Sequence, residues 1–183
     1  MVVEHRPKRR GPKSGPDILD AASAVSEKVM LAAYDASKAL SELGIPHAVV
    51  GGIAVGAHGA PRATDDVDFL VNQEDAFNGA LILSFKPGVP IAVRGIVVDY
   101  LTPEGNEHVE LLRRALVEAL ESEGIPVVPL EALIVLKLQA ARRRDLDDVA
   151  RLCETADVED HIRQCLLAEA PELMARFELA MKE

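Results

Sequence analysis

The stretch "GAPRATDDVDFLV", residues 59–71, places three aspartates at the start of an apolar run. The end of this stretch is rich in Val and Phe and follows a turn-forming segment, which predicts a β-strand. Positions i and i+2 of a strand point to the same face, so Asp66 and Asp68 should lie side by side while Val67 and Phe69 face the core. Two carboxylates this close repel each other unless a cation lies between them. Mg²⁺ suits such a pair, because it takes oxygen ligands and usually binds one or two carboxylates together with phosphate oxygens.

Another aspartate, Asp99, interrupts the apolar run "IVVDYL". On a strand it shares a face with Val97 and Leu101, so a charge stands where the alternation predicts an apolar side chain. If this strand lies beside the first one, the three carboxylates could hold two metal ions. The alternative is an edge position that faces water. We favour the metal site, because one hypothesis then explains both departures from the strand pattern.

The order of the predicted elements indicates an α/β fold. Apolar residues recur at three- and four-residue steps over residues 17–43, which predicts one long helix or two in succession. The words "SELGIP" (41–46) and "ESEGIP" (121–126) are both interpreted as helix ends that lead into a short strand. Further strands are predicted at 47–50, 66–71, 91–101 with a turn or bulge at Gly95, and 127–128. Further helices are predicted after Gly52, over 74–81, 107–123, 130–142 and 146–155, and from 160 onward.

These elements predict a mixed sheet flanked by helices, in the α/β (α+β) class, with a small C-terminal helical layer. We expect three parts: a flexible basic tail (1–16), an α/β core (17–128) and a C-terminal helical segment packed on that core (129–183).

Composition narrows the functional classes. The chain has 183 residues, a net charge of -10, 3% aromatic residues and no Trp, which argues against generic binding to nucleic acid or to anionic membranes. Cys153 and Cys165 match no zinc or redox motif, so a reduced, cytoplasmic protein is expected. No apolar run is long enough to cross a bilayer. His58 is interpreted as a turn residue, because it stands directly before a glycine. His108 and His161 have no partner in sequence, and none of the three is assigned to a metal.

The residues before the Asp-x-Asp pair are candidates for phosphate binding. Gly51 and Gly52 stand where a strand turns into a short helix, and two glycines let the backbone approach a phosphate closely. Arg62 could hold a phosphate, and Thr64 could orient the loop by bonding its own backbone. The alternative for each of them is an ordinary surface turn.

Taken together, "VVGGIAVGAHGAPRATDDVDFLV" resembles the active-site signature of the DNA polymerase β-like nucleotidyltransferase superfamily, in which a Gly-Gly or Gly-Ser turn precedes an Asp-x-Asp pair. The form R-x-T-x-D-x-D resembles the AbiEii-type branch of small bacterial proteins. This resemblance implies a nucleotidyltransferase-like fold. It also implies that Asp66, Asp68 and Asp99 bind two Mg²⁺ ions and carry catalysis, while Gly51, Gly52, Arg62 and Thr64 bind the nucleotide.

A second motif, "LEALIVLKLQAARRRDLDDVARL" (130–152), also resembles this branch. Lys137 falls on an otherwise apolar helix face, and the resemblance makes it a ligand of the nucleoside triphosphate. The alternative is that its long stem reaches solvent. Asp145 and Asp148 are secondary candidates, since they fit equally well as the N-cap and first-turn acid of the next helix.

The function implied by the resemblance is Mg²⁺-dependent transfer of a nucleoside monophosphate from an NTP to a hydroxyl acceptor. That acceptor would be an RNA 3′ end, a protein or a small molecule, and the chain would be a component of a bacterial toxin–antitoxin pair with an antitoxin as partner. The alternative is a catalytically inactive, antitoxin-like binding partner that keeps the fold.

Overall fold

A computed structural model of the chain describes residues 15–72 and 90–182. The predicted tail lies outside these residues except for Gly15 and Pro16, and so does the helix predicted over 74–81. The described strands are β1 (His47–Val49), β2 (Asp66–Val71), β3 (Ile91–Val93), β4 (Ile96–Leu101), β5 (Leu120–Ser122) and β6 (Ile125–Val127). The described helices are α1 (Ile18–Ala22), α2 (Glu27–Glu42), α3 (Gly51–Ala57), α4 (Val109–Val117), α5 (Leu130–Ala140), α6 (Arg143–Ala156), α7 (Glu159–Glu169) and α8 (Met174–Ala180), with a 3₁₀ turn at Pro171–Leu173.

The six strands form one mixed sheet in the order β3-β4-β2-β1-β6-β5. β2 runs parallel to β4 and antiparallel to β1, and β1 runs parallel to β6. The two outer pairs, β3–β4 and β5–β6, are antiparallel hairpins. The predicted fold class, an α/β mixed sheet flanked by helices with a C-terminal helical layer, is confirmed.

Helix α2 covers one face of this sheet. Val67 and Phe69 of β2 are fully buried on that face, where Phe69 stacks on Tyr100 of β4 and meets the edge of the His47 ring. Ser37 of α2 hydrogen-bonds His47 Nε2 at 2.8 Å, which places the helix over the same face. The alternate residues of β2, including both predicted metal-ligating aspartates, therefore project to the opposite side of the sheet.

Both hairpins turn through two residues with positive φ. Arg94 and Gly95 have φ of 52° and 72°, and Glu123 and Gly124 have φ of 50° and 83°. Two central residues with φ above zero are typical of the type I′ turn, whose twist matches that of antiparallel strands. Of the two alternatives predicted at Gly95, a turn or a bulge, the structure thus has the turn.

The second hairpin corrects the interpretation of "ESEGIP". The helix predicted over 107–123 ends at Val117, and the segment continues as β5, which pairs with β6. Only "SELGIP" ends a helix, with Gly44 at φ +69° just after α2. The helical spacing of apolar residues extended as far as Leu120, but the hydrogen bonds that strand pairing offers across the turn outweigh that local pattern.

The long helix predicted at the start of the chain is two helices, α1 and α2, with Ser26 capping the second. Within the described residues no helix is both long enough and apolar enough to cross a membrane.

Candidate active site

The three aspartates predicted as metal ligands lie on one face of the sheet. β2 and β4 are parallel neighbours, and their register pairs Asp68 with Asp99 and Asp66 with Val97. Register partners on adjacent strands project to the same side, and neighbouring strands lie only about 4.8 Å apart. Asp66 is exposed, while Asp68 and Asp99 are half-buried. The side chains are thus grouped at the side of the sheet that α2 leaves free.

Asp68 is the middle residue of the three, and the negative charges of the other two act on its carboxyl group. Burial, followed by the charges of Asp66 and Asp99, raises the pKa of Asp68 to about 6. The positive charges of Lys137 and Arg62 act in the opposite direction on the same pKa. Both cations are therefore near enough to influence this carboxylate.

Gly51 leaves the space that Asp68 occupies. A Cβ atom at Gly51 would come within 1.9 Å of Asp68 Oδ2, and the residue has φ of +61°. The backbone holds the two segments together as well, because Val50 N–H donates to the Asp68 carbonyl at 2.9 Å. Glycine at position 51 is thus required both by the left-handed backbone and by the approach of the carboxylate.

Gly52 makes the corresponding room for the loop between α3 and β2. A Cβ atom at Gly52 would lie 2.7 Å from Thr64 Oγ1 and 3.0 Å from Arg62 Nη1. Thr64 is buried, and its hydroxyl donates to Asp66 Oδ1 at 2.6 Å. The expectation that Thr64 bonds its own backbone is wrong, because this hydroxyl instead fixes a carboxylate of the Asp-x-Asp pair.

One chain of ion pairs joins two cations, Lys137 and Arg62, to the carboxylates of Asp145 and Asp148. Arg62 Nε donates to Asp148 Oδ1 at 2.8 Å, and Lys137 Nζ lies 2.8 Å from Asp148 Oδ2 without hydrogen-bond alignment. Lys137 Nζ also donates to Asp145 Oδ1 at 2.9 Å. Lys137 is buried, with its side chain 9% exposed, so its ammonium group does not reach open solvent. The network connects α5 and α6 to the loop that precedes β2.

Asp148 is more central than the sequence indicated. It lies in the interior of α6 with its side chain 2% exposed, and so is neither an N-cap nor a first-turn acid. Asp145 is in the first turn, where its Oδ2 accepts from the N–H of Arg142, the N-cap residue. The sequence did contain a signal for this arrangement. The i, i+3 spacing of Asp145 and Asp148 places both carboxylates on one helix face, so that both can pair with the buried Lys137.

The three carboxylates suit a Mg²⁺ ion that is also coordinated by a bound ligand. All three aspartates offer oxygen atoms, and a cation would relieve the charge that raises the pKa of Asp68. In the part of the chain that the structure describes, the three do not form a group whose ligand oxygens all lie within 4.8 Å of one another. This openness suits an ion bound by one or two carboxylates plus phosphate oxygens better than a closed protein cage.

The histidines near these elements have ordinary partners. His58 ends α3 and donates from Nε2 to the Val128 carbonyl at 2.8 Å, in agreement with its interpretation as a turn residue. Burial lowers the pKa of His58, because it disfavours the charged imidazole.

No protein-family profile and no curated protein sequence matches the chain. Among solved structures, it is similar to an antigenic nucleotidyltransferase-like protein from Paracoccidioides brasiliensis. The two share 14% sequence identity over 85% of this chain and 94% of that chain, with a TM-score of 0.47.

Proposed function

We propose that the chain is a Mg²⁺-dependent nucleotidyltransferase that moves a nucleoside monophosphate from an NTP to a hydroxyl acceptor. The observation that carries this proposal is the common face of Asp66, Asp68 and Asp99 on two neighbouring strands. Three carboxylates at one site repel one another, and a metal-bound triphosphate would bring the positive charge that compensates them.

Each aspartate has a part in this proposal. Asp66 and Asp68 hold Mg²⁺ on the NTP phosphates, and the Thr64 hydroxyl keeps the Asp66 carboxylate in place. Asp99 completes the position for a second ion and helps to take the proton from the acceptor hydroxyl. When bound, the ions would neutralise phosphate charge and align the acceptor with the α-phosphate. The acceptor oxygen then forms a bond to that phosphorus as the bond to pyrophosphate breaks, and pyrophosphate leaves.

Arg62 and Lys137 supply the positive charge of the proposed phosphate site. Both lower the pKa of Asp68, so their fields reach the carboxylate face. Arg62 uses Nε for Asp148 and Nη1 for the Ala63 carbonyl, and its Nη2 has no hydrogen-bond partner among the described residues. We assign the phosphate contact to that nitrogen, with Lys137 acting through its charge and Gly51 and Gly52 keeping the backbone close.

The proposed acceptor belongs to one of three classes: an RNA 3′ end, a protein hydroxyl or a small molecule. The R-x-T-x-D-x-D form supports a role in a bacterial toxin–antitoxin pair, with the antitoxin as a protein partner. The net charge of -10 favours an acceptor held by local contacts over one held by a broad basic surface.

The first test is ligand-dependent stability. We expect Mg²⁺ plus an NTP to raise the melting temperature, and Asp66→Asn and Asp68→Asn to abolish that rise. Asp147→Asn, on the exposed side of α6, is the matched control and should keep it. Absence of a shift with all four NTPs would reject the nucleotide site.

The second test identifies the acceptor. The chain is incubated with α-labelled NTPs and with separate RNA, protein and small-molecule fractions of a bacterial lysate. Label transferred to one fraction by the unmodified chain, and not by Asp99→Asn, supports the transferase. Nucleotide binding without transfer to any fraction would contradict it.

One observation favours the alternative, an inactive binding partner with the same fold. Lys137 is already paired with two carboxylates, Asp145 and Asp148, so its charge is neutralised without a nucleotide. A chain that gains no stability from Mg²⁺ and NTP, yet binds a separate toxin-like protein, would fit this second function.

A further inference from the structure

A second group of metal-ligand side chains comes together where the loop after β4 meets the C-terminal helices. Glu107 and His108 directly precede α4, and Glu172 lies in the 3₁₀ turn before α8. One ligand atom from each residue lies within 4.8 Å of the other two. This group contains a histidine, which distinguishes its chemistry from that of the three aspartates.

The His108 ring points an unsatisfied nitrogen into this group. The side chain is only 8% exposed, and its Nε2 is buried without a hydrogen-bond partner among the described residues. Glu172 Oε1 lies 2.8 Å from that nitrogen but is not aligned as a hydrogen-bond acceptor. An imidazole nitrogen that presents its lone pair is repelled by a carboxylate oxygen at this distance, and the contact becomes favourable when the nitrogen carries a proton or binds a metal cation.

The loop that carries His108 is held in place before any ion binds. Asn106 Oδ1 accepts from the His108 N–H at 2.8 Å, and Asn106 exchanges two side-chain hydrogen bonds with Gln139, at 3.0 and 2.9 Å. Gln139 belongs to the last turn of α5. The Arg176 guanidinium of α8 donates to the carbonyls of Leu138 and Gln139 in the same turn.

The end of α5 is therefore a common anchor for both sides of the group. It fixes the loop through Asn106 and the start of α8 through Arg176, and Glu172 lies one turn before Arg176. Such pre-positioning of the supporting residues is typical of metal sites, where outer hydrogen bonds orient the ligands.

We propose that Glu107, His108 and Glu172 bind one divalent transition-metal ion of the Zn²⁺ class. Two carboxylates contribute two negative charges, which one divalent cation balances, and an imidazole ligand favours Zn²⁺ and similar ions over Mg²⁺. Zn²⁺ binds nitrogen and carboxylate oxygen at about 2.0–2.2 Å, so its ligand atoms lie on the order of 3–4 Å apart. The three ligand atoms lie within 4.8 Å of one another, and the exposed Glu107 and Glu172 side chains would close to that spacing around the ion.

The proposed ion ties the loop after β4 to the C-terminal helices. Since the loop follows the strand that carries Asp99, the ion also restrains the segment next to the carboxylate face. Its role is structural, and it does not depend on whether the chain transfers nucleotides.

The test uses the full chain without an affinity tag, in an Asp66→Asn/Asp68→Asn background that weakens the aspartate site. Titration with ZnCl₂ in a calorimeter is expected to show one bound equivalent and a higher melting temperature. His108→Gln and Glu172→Gln should each weaken binding by at least about tenfold.

His161→Gln is the matched control. His161 also faces a glutamate, Glu131, at 2.8 Å, and lies 3.6 Å from Cys165 Sγ, but it is exposed. We expect zinc binding to survive this change. Loss of binding in His161→Gln with retention in His108→Gln would place the ion at the wrong histidine and overturn the proposal.

A measurement on the unmodified chain covers the case in which a variant fails to fold. The imidazole ¹⁵N resonance of His108 Nε2 should shift on addition of one equivalent of Zn²⁺ while that of His161 does not. An unchanged His108 resonance, or no zinc binding up to about 100-fold excess over protein, would show that His108 and Glu172 are only an ion pair.

Discussion

Asp68 and Asp99 are register partners on adjacent parallel strands, although the segment between them includes an entire hairpin strand and residues 73–89. The pairing places their side chains on the same side of the sheet, and the charge of Asp99 contributes to the raised pKa of Asp68. Had the register shifted by one residue, Asp99 would face α2 and the core. The candidate site therefore depends on strand register as much as on residue identity.

The first prediction concerns pH and Mg²⁺. Because the pKa of Asp68 is raised to about 6 in the folded chain, from 3.8 ordinarily, ionising it costs the folded state stability. In the absence of divalent ions, that cost appears as pH rises through about 6. Asp68→Asn should remove it and raise the free energy of unfolding at pH 7.5 by on the order of 1–3 kcal/mol, with a smaller gain near pH 4.5.

Urea unfolding at both pH values with EDTA checks this prediction. Mg²⁺ should then stabilise the unmodified chain at pH 7.5 and leave Asp68→Asn unchanged. The exposed Asp147→Asn serves as control and should follow the unmodified chain at both pH values. An Asp68→Asn variant that is less stable at pH 7.5 would contradict the crowding of the three carboxylates.

The second prediction separates backbone strain from side-chain crowding at glycine. Gly44 and Gly51 have similar φ, +69° and +61°, but a Cβ atom meets nothing within 4 Å at Gly44 and comes within 1.9 Å of Asp68 Oδ2 at Gly51. Gly44→Ala should cost about 1 kcal/mol from the left-handed backbone alone. Gly51→Ala should cost roughly 1–3 kcal/mol more, because the carboxylate must move.

Thermal and urea unfolding of the two variants provides the comparison. If Gly51→Ala and Gly44→Ala lose equal stability, the close approach of Gly51 to Asp68 has no energetic consequence. Combining Gly51→Ala with Asp68→Ala should recover part of the loss, since the clashing side chain is then gone.

The third prediction concerns the ion-pair network. Lys137→Met removes a buried cation and leaves Asp148, 2% exposed at its side chain, with Arg62 as its charged partner. We expect the free energy of unfolding to fall by roughly 2–4 kcal/mol, because the buried Asp148 carboxylate loses one of its two charged partners.

Lys38→Met is the control for this change. Lys38 pairs with Glu42 on the surface of α2, where both side chains are more than half exposed, so its loss should cost under about 0.5 kcal/mol. If Lys137→Met folds, nucleotide titration of this variant tests the proposed contribution of the Lys137 charge to nucleotide binding. Equal stability of the two lysine variants would mean that the network is dispensable.

The fourth prediction concerns acid sensitivity through His47. The ring donates from Nδ1 to the Ile45 carbonyl at 2.8 Å, and its Nε2 lies 2.8 Å from the Ser37 hydroxyl. Burial lowers the pKa of His47 below 6.5, so the unfolded chain takes up the proton first as pH falls. Stability is therefore lost below about pH 6.5.

His47→Gln should flatten the dependence of unfolding free energy on pH between 7 and 5, whatever its effect at pH 7. His161→Gln, at an exposed histidine, should leave the slope as it is in the unmodified chain. An undiminished slope in His47→Gln would show that another group, such as the half-buried His58, is responsible.

Local patterns predicted the elements around the carboxylates well. The strand predicted from "DVDFLV" is β2 with the same bounds, Asp66–Val71, and the turn at Gly95 divides β3 from β4. These segments follow the period-2 alternation and have the turn residues that a hairpin needs, so neighbouring residues alone determine them. The helix predicted over 107–123 was partly wrong, since its last residues form β5 and pair with a later strand.

The spacing of Asp66 and Asp68 on one strand face was determined by the sequence itself, because the geometry of a strand needs no tertiary contact to alternate side chains. Only the tertiary structure decided that Asp99 joins them, that Thr64 bonds Asp66, and that Asp148 lies between Arg62 and Lys137. These relations join residues on different elements. They depend on strand order, register and helix packing, which follow from burying the whole core at once and not from any local run of residues.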